Sequence, residues 1–249
     1  MLSFLEQLVQ AKHIQDIWSL YAARMEEYGF DRLIYGLTRF RTVNSLGDLA
    51  DTLMLSTHEK SYTDAFVWGG AYQRAPMVTW AAENEGACSW RIVEERMRAG
   101  ELSSEEMEVL LLNQQYGVVA GYTISFPAMS MRQKGAMGLC ARHGLTQADV
   151  EVIWHDHGRE IMVLSTLVHL RLSTMPQPSA RRPLTPRQRE VLEWVGEGKT
   201  TADIAVIMGL TSATVEKHLR LAREVLDVDT TAQAVLKASV QNQIFMTGK

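Results

Sequence analysis

A chain of 249 residues, 46% apolar and 22% charged, is long enough to bury one or two cores. Its two cysteines, Cys88 and Cys140, exclude a disulfide framework and suit a reducing cytoplasm; no run approaches the ~18 apolar residues of a membrane span, and Glu6 and Lys12 break the N-terminus where a signal peptide is continuous. The net charge of −4 is uneven: residues 1–180 hold 15 Lys/Arg against 21 Asp/Glu, whereas residues 181–249 hold 10 against 8, so a mildly basic module suited to a polyanion follows an acidic body.

Residues 2–28 keep Leu5, Leu8, Val9, Ile14, Ile17, Leu20 and Tyr21 at helical spacing before Gly29, and are expected to form one helix. "RLIYGLTRF" (32–40) reads as a strand, and "SYTDAFVWGGAY" (61–72) as a short helix or an irregular aromatic segment. "LSSEEMEVLLLNQQYG" (102–117) starts with a capping box, Ser103 or Ser104 with an acidic residue near N3. "VVAGYTISF" (118–126) and "KGAMGLCAR" (134–142) look like a strand pair, and residues 145–172 like one long helix. Helices against an antiparallel sheet make this part an α+β domain, residues 1–172.

Four of the six prolines fall in "STMPQPSARRPLTP", so residues 173–183 are expected to be an extended linker. Residues 184–249 then read as all-α, with four helices. Thr185-Pro186-Arg187-Gln188 offers a cap, proline at N1 and a residue that closes the box; Gly196 or Gly198 ends that helix. "TTADIAVIM" (200–208) is a second helix, Gly209 turns the chain, Thr211 or Ser212 caps a third, and residues 229–243 make a fourth.

Two short helices joined at a glycine turn are the helix-turn-helix arrangement, whose second helix lies in the DNA major groove. In the third helix Val215, Leu219, Ala222 and Leu226 form a core-facing stripe, which leaves Ser212, Ala213, Glu216, Lys217, Arg220 and Arg223 outward. Lys217 and Arg220 can donate to guanine or phosphate, and Glu216 can accept from cytosine; Lys199, Thr214 and His218 sit where backbone contacts are expected. On spacing alone, a small helical bundle with a solvated charged face explains the pattern equally well.

The segment from Leu184 to about Phe245 resembles the LuxR-type (GerE-like) DNA-binding domain, in "LTPRQREVLEWVGEGKT", "IA", "MGLTSATVEKH" and "LDV". It departs from the family pattern at Gln188, usually glutamate, and at Glu216, often lysine or arginine. The resemblance implies double-stranded DNA as a partner and a homodimer on a pseudo-palindromic operator.

Residues 1–172 resemble, more faintly, the autoinducer-binding domain of quorum-sensing regulators, an α/β/α sandwich that encloses an acyl-homoserine lactone. There a tryptophan reaches the lactone carbonyl, an aspartate the amide N–H and a tyrosine the acyl carbonyl, while a second tryptophan packs on the ring. Anchoring on Pro76 and Trp90 puts Tyr62 at the first tryptophan, Phe66 at the tyrosine and Ala75 at the aspartate, with Gly121 at a family glycine. Met77 and Leu110 complete the candidate ligand set, and Met54, Met107, Met129 and Met137 would suit a long flexible chain or plain core packing. The resemblance leaves three outcomes open: a lactone held by altered contacts, another apolar signal, or a regulator that has lost ligand control. A protein that acts by forming inactive heterodimers is a fourth.

Nothing points to an enzyme or a cofactor. "GACSW" (86–90) lacks the G-x-S-x-G elbow, no phosphate loop occurs, and His155 and His157 fall on different sides of a helix, so they cannot share one metal.

Overall fold

Alternation along the first strand sorts the N-terminal part of the chain into layers. The computed structural model describes residues 2–42, 47–128, 130–176 and 183–245. The chain divides into two units, Met1–Ser173 and Thr174–Lys249.

In the first unit, β1 (Phe30–Thr38), β2 (Leu53–Ser56), β3 (Gly86–Ser89), β4 (Gly121–Ser125) and β5 (Lys134–Ala141) form an antiparallel sheet in the order β2-β1-β5-β4-β3. Successive side chains of a strand point to opposite faces. Leu33, Tyr35 and Leu37, all fully buried, take the face covered by α2 (Ile14–Glu27) and α7 (Gln147–Thr174). There the Tyr35 hydroxyl meets His169 Nδ1 at 2.9 Å, the His169 ring stacks on Phe126 at 4.2 Å, and the Tyr21 hydroxyl meets Ser165 Oγ at 2.7 Å. Ile34, Gly36 and Thr38 take the other face. That face is closed by α3 (Lys60–Thr63), α4 (Pro76–Glu83), α5 (Arg91–Arg98) and α6 (Ser104–Gln115). The result is the expected α/β/α sandwich.

The single helix expected over 2–28 is two, α1 (Leu2–Gln10) and α2, because His13 is extended (φ −123°, ψ 147°) and starts the second helix afresh. Apolar spacing does not register the break: Leu8 and Ile17 on either side of it are both buried, while Val9 is exposed. The segment 61–72 passes through three helical types: α3, a π-helical turn at Asp64–Trp68 and a 3-10 turn at Ala71–Arg74. Strands β2 and β3 and helices α4 and α5 were not anticipated; four strand residues or eight helical ones are too few to establish a period. The capping box of α6 is Ser103 with Glu106. Helix α7 runs two residues past its expected end, into the start of the 173–183 segment, and stops before Pro176, whose ring disfavours a helical preceding residue. Residues 177–182, most of the expected linker, lie outside the described residues.

The second unit is helical: α8 (Pro186–Gly196), α9 (Thr201–Met208), α10 (Ser212–Leu226) and α11 (Thr231–Val240). The box of Thr185 with Gln188 forms, and Thr200, Thr211 and Thr230 cap the later helices. Gly209, at φ +64°, lets α9 end in the left-handed conformation, with Leu210 N–H donating back to the Ala205 carbonyl. Val191, Leu192, Ile204, Val215, Leu219, Ala222, Leu226, Ala234 and Ala238 make its core. Among the described residues no helix is long and apolar enough to cross a membrane.

Candidate functional site

Between the sheet and the α3–α6 layer lies a mainly apolar cavity of about 490 Å³, within the range of small-molecule pockets. Its floor is built from β1 and β5: Ile34 pairs with Gly138, Gly36 with Ala136 and Thr38 with Lys134, so small residues at the centre leave room above the sheet. All six candidate ligand residues, Tyr62, Phe66, Ala75, Met77, Trp90 and Leu110, border it. Of the methionines singled out in the sequence, Met54, Met77 and Met137 border it, as does Met97; Met107 does not, and Met129 lies outside the described residues.

The π-helical turn and the spacing 58, 62, 66 stack three rings on one wall. The Tyr62 ring lies 4.5 Å from His58 and 5.2 Å from Phe66, the latter nearly parallel at 11°. Its hydroxyl donates to Asn113 Oδ1 at 3.0 Å. Burial, aided by the Arg32 guanidinium, pushes His58 down to about 4 and so keeps the ring neutral. Burial also raises the Tyr62 hydroxyl and pushes the Cys140 thiol up to about 12. His58 and Asn113 were missed in the sequence. Asn113 left one signal, a polar residue three positions after Leu110 and four after the buried Val109.

Ala75 caps α4 just before Pro76, and its methyl group offers the cavity no acceptor. At the far end of β5 the buried Lys134 ammonium donates to the Asn84 carbonyl at 2.8 Å. Glu94 and Arg98, more exposed, pair with each other at the rim.

Trp90 is held by its surroundings. Its indole N–H donates to Thr123 Oγ1 at 2.9 Å and its backbone N–H to the Gly121 carbonyl at 3.1 Å. A Cβ on Gly121 would stand 2.1 Å from the Leu139 carbonyl oxygen and 3.0 Å from the Trp90 ring, so only glycine fits. Gln147, in the first turn of α7, grips Gly121 from behind: Oε1 accepts the Gly121 N–H at 2.9 Å and Nε2 donates to its carbonyl at 3.2 Å. Nε2 also reaches Ser89 Oγ at 3.0 Å, and both Ser89 and the Tyr122 hydroxyl donate to Glu151.

In the second unit the stripe Val215, Leu219, Ala222, Leu226 is buried, which presents the opposite face of α10 to solvent. Lys199, Ser212, Lys217 and Arg220 are exposed there or at the preceding turn; Thr214 and His218 are half-buried. Glu216 is exposed but engaged, accepting from Thr201 Oγ1 at 2.9 Å, so its carboxylate braces the start of α9. Arg220 pairs with Glu224 along the helix. Arg223 departs from the outward expectation: half-buried, it donates to Thr231 Oγ1 of α11 at 2.9 Å and braces the helix pair.

Residues 13–172 match the family model described as autoinducer binding domain, and residues 182–238 that of bacterial regulatory proteins, luxR family. The chain belongs to the LuxR family. It is similar to the activator SolR of Ralstonia nicotianae, 27% identical over 236 residues that cover 92% of each chain. It is also similar to the quorum sensing-dependent regulator RpaR of Rhodopseudomonas palustris, 40% identical over 80 residues, 31% of this chain and 33% of that one. The fold matches Escherichia coli SdiA over 98% of this chain and 97% of that one, at a TM-score of 0.51 and 15% identity. These LuxR-type relatives are transcriptional regulators and not enzymes. The two matched ranges place the sandwich with autoinducer binding domains and the helical unit with luxR-family regulatory modules.

Proposed function

We propose that this LuxR-family chain is a dimeric cytoplasmic transcription factor, with its signal in the sandwich cavity and α10 in the major groove of a pseudo-palindromic operator. The mainly apolar cavity, bordered by all six candidate ligand residues, carries this reading. The signal is a small apolar molecule of the acyl-homoserine lactone type, its head held by contacts other than the family's. A lactone in the family pose would leave its amide N–H without an acceptor at Ala75, at a cost of ~1–3 kcal/mol. Each buried acyl carbon returns ~0.8 kcal/mol, so about two to four extra methylenes offset the loss.

Residues 1–172 serve ligand binding and dimerisation, residues 184–249 serve DNA. An exposed stripe on α7 supports the dimer: Val152, Arg159, Val163 and Leu170, spaced 7, 4 and 7, lie on one side of the helix. Two-fold pairing there would present two copies of α10 to two half-sites. On α10, Lys217 and Arg220 are the base-reading candidates, with Ser212, Thr214, His218 and Lys199 at the sugar-phosphate backbone; Glu216 and Arg223 hold the reading helix against α9 and α11.

The test is extraction of protein produced with and without added acyl-homoserine lactones, read by mass spectrometry, alongside operator binding at two salt concentrations. Stoichiometric lactone and salt-sensitive, sequence-selective binding are the expected results. A clean extract from protein that binds its operator equally well with and without lactone would overturn the ligand half of the proposal.

A further inference from the structure

The cavity has a second polar end, opposite the ring stack. Six residues of β5 carry its floor from Cys140 to Lys134, about 20 Å of strand, past the small residues Gly138 and Ala136. We propose that Lys134 and Thr38 form a carboxylate site at that end, so that the ligand is a hydrocarbon chain whose far tip carries a carboxylate. This deepens the signal-receptor reading and rests on it.

Lysine is almost never fully buried unless its charge is paired. Lys134 opens β5, borders the cavity and is only 7% exposed. Its ammonium has three protons to give. One goes to the Asn84 carbonyl, and among the described residues the side chain has no other hydrogen bond and no ion pair. That carbonyl, where α4 ends, already accepts from Ser125 Oγ at 2.7 Å, so the helix end is served without the lysine. Glu85 acts on the ammonium through space, but it is exposed and takes the Ala128 N–H at 3.4 Å; Arg41 adds a second positive charge. Burial draws Lys134 below the ordinary lysine range. A buried cation that faces a neutral carbonyl and an apolar space lacks a counter-ion, and charge buried without one is costly.

Thr38 stands directly across from Lys134 in the β1–β5 ladder, on the same face of the sheet, buried and bordering the same end of the cavity. Cross-strand partners hold their Cβ atoms about 5 Å apart. The Thr38 hydroxyl oxygen accepts the Phe40 N–H at 3.4 Å and keeps its own proton to donate. An ammonium and a hydroxyl side by side match the two oxygens of one carboxylate. Along the rest of the floor Ile34, Gly36, Ala136 and Gly138 offer hydrocarbon or bare backbone, which suits methylene groups and nothing charged. A phosphate would bring a second negative charge that one lysine does not match, and a terminal methyl group would leave the ammonium as it is.

The experiment measures dissociation constants on the purified full chain at neutral pH, by quenching of tryptophan fluorescence. The probes are monomethyl dodecanedioate, dimethyl dodecanedioate, methyl dodecanoate, dodecanoate and N-dodecanoyl-homoserine lactone. The monoacid is expected to bind roughly tenfold tighter than the diester, which has the same chain and no charge. Lys134→Met keeps an unbranched stem without the charge; it should reverse that preference while methyl dodecanoate binds as before. Where the methionine variant fails to fold, the monoacid and diester on the unmodified chain still decide, and Thr38→Val should cut the preference a few-fold. Dodecanoate as tight as the monoacid would support the site and make a plain fatty acid its ligand. A monoacid no tighter than the diester would overturn the proposal, as would a preference that survives Lys134→Met. Equal losses for monoacid and methyl dodecanoate in that variant would reduce Lys134 to packing and overturn it while the receptor reading stands. Failure of every probe on the unmodified chain, the lactone included, would overturn the receptor reading itself.

Discussion

Replacing Arg220 with alanine separates DNA reading from folding. In the free protein the side chain is exposed and, among the described residues, pairs with Glu224 one turn along α10. An exposed i,i+4 pair stabilises a helix by about 0.3–0.5 kcal/mol, so the substitution should barely move the unfolding midpoint. Releasing the arginine from Glu224 to a guanine costs no more than that. A bidentate arginine–guanine contact contributes about 1–3 kcal/mol of discrimination. With one arginine in each half-site of a two-fold operator, the loss should reach about 2–6 kcal/mol, roughly 30-fold at the least. The assay is a titration of labelled operator by fluorescence anisotropy, repeated on operators carrying each base change and at several salt concentrations. The expected outcome is weaker binding, lost preference at one position of each half-site and an unchanged salt slope. Uniform weakening across sequences, with a slope shallower by about one unit per half-site, would refute the reasoning and make Arg220 a phosphate contact.

Gly121→Ala should destabilise the first unit by about 1–3 kcal/mol and loosen Trp90, because the new methyl group meets the Leu139 carbonyl oxygen at 2.1 Å; denaturant unfolding and tryptophan fluorescence report both, and an unchanged midpoint would refute it. Burial, helped by Arg39, pushes His169 down to about 4 from its ordinary 6.5. The unfolded chain therefore takes the proton first. This stability is full above about pH 6.5 and is lost as pH falls towards 4, on the order of 3 kcal/mol in all and roughly 2 of it by pH 5. Urea midpoints at pH 7.5 and 5 should show this loss, and a His169→Asn variant that keeps the full pH slope would assign it elsewhere. Val163→Asp, on the exposed stripe of α7, should leave the fold intact and shift the chain from dimer to monomer in sedimentation; a dimer of unchanged strength would place the contact on another surface.

Sequence was most informative where a residue acts locally. Thr185 with Gln188, Gly209 at positive φ and the 215–226 stripe all follow from chemistry within one turn, and they appear as read. The cavity was legible only through spacing: Pro76 and Trp90 fixed a register, and Tyr62, Phe66 and Ala75, counted from it, border one space with both anchors. Asn113 was invisible because it is 51 residues from Tyr62 and meets it only when α6 closes over the sheet. The same applies to Glu216 and Arg223, whose partners Thr201 and Thr231 belong to neighbouring helices. A helical wheel shows which side is outward, not which outward group has found something to hold. The division at 11–13 was lost for the opposite reason: the stripe continues in phase across a backbone that does not.

The grip of Gln147 on Gly121 has a mechanical side. Helix α7 has 28 residues and is therefore about 42 Å long. Its first turn is tied to the strand that backs Trp90, and its last turn ends at Thr174, where the chain passes into the second unit. A rigid rod of that length, pivoted at one end, moves its other end by roughly 0.7 Å for every degree of tilt. Were repacking against the indole ring to tilt α7, its opposite end would move by a distance comparable to a hydrogen-bond tolerance, against the grip of Tyr21 on Ser165 and Tyr35 on His169.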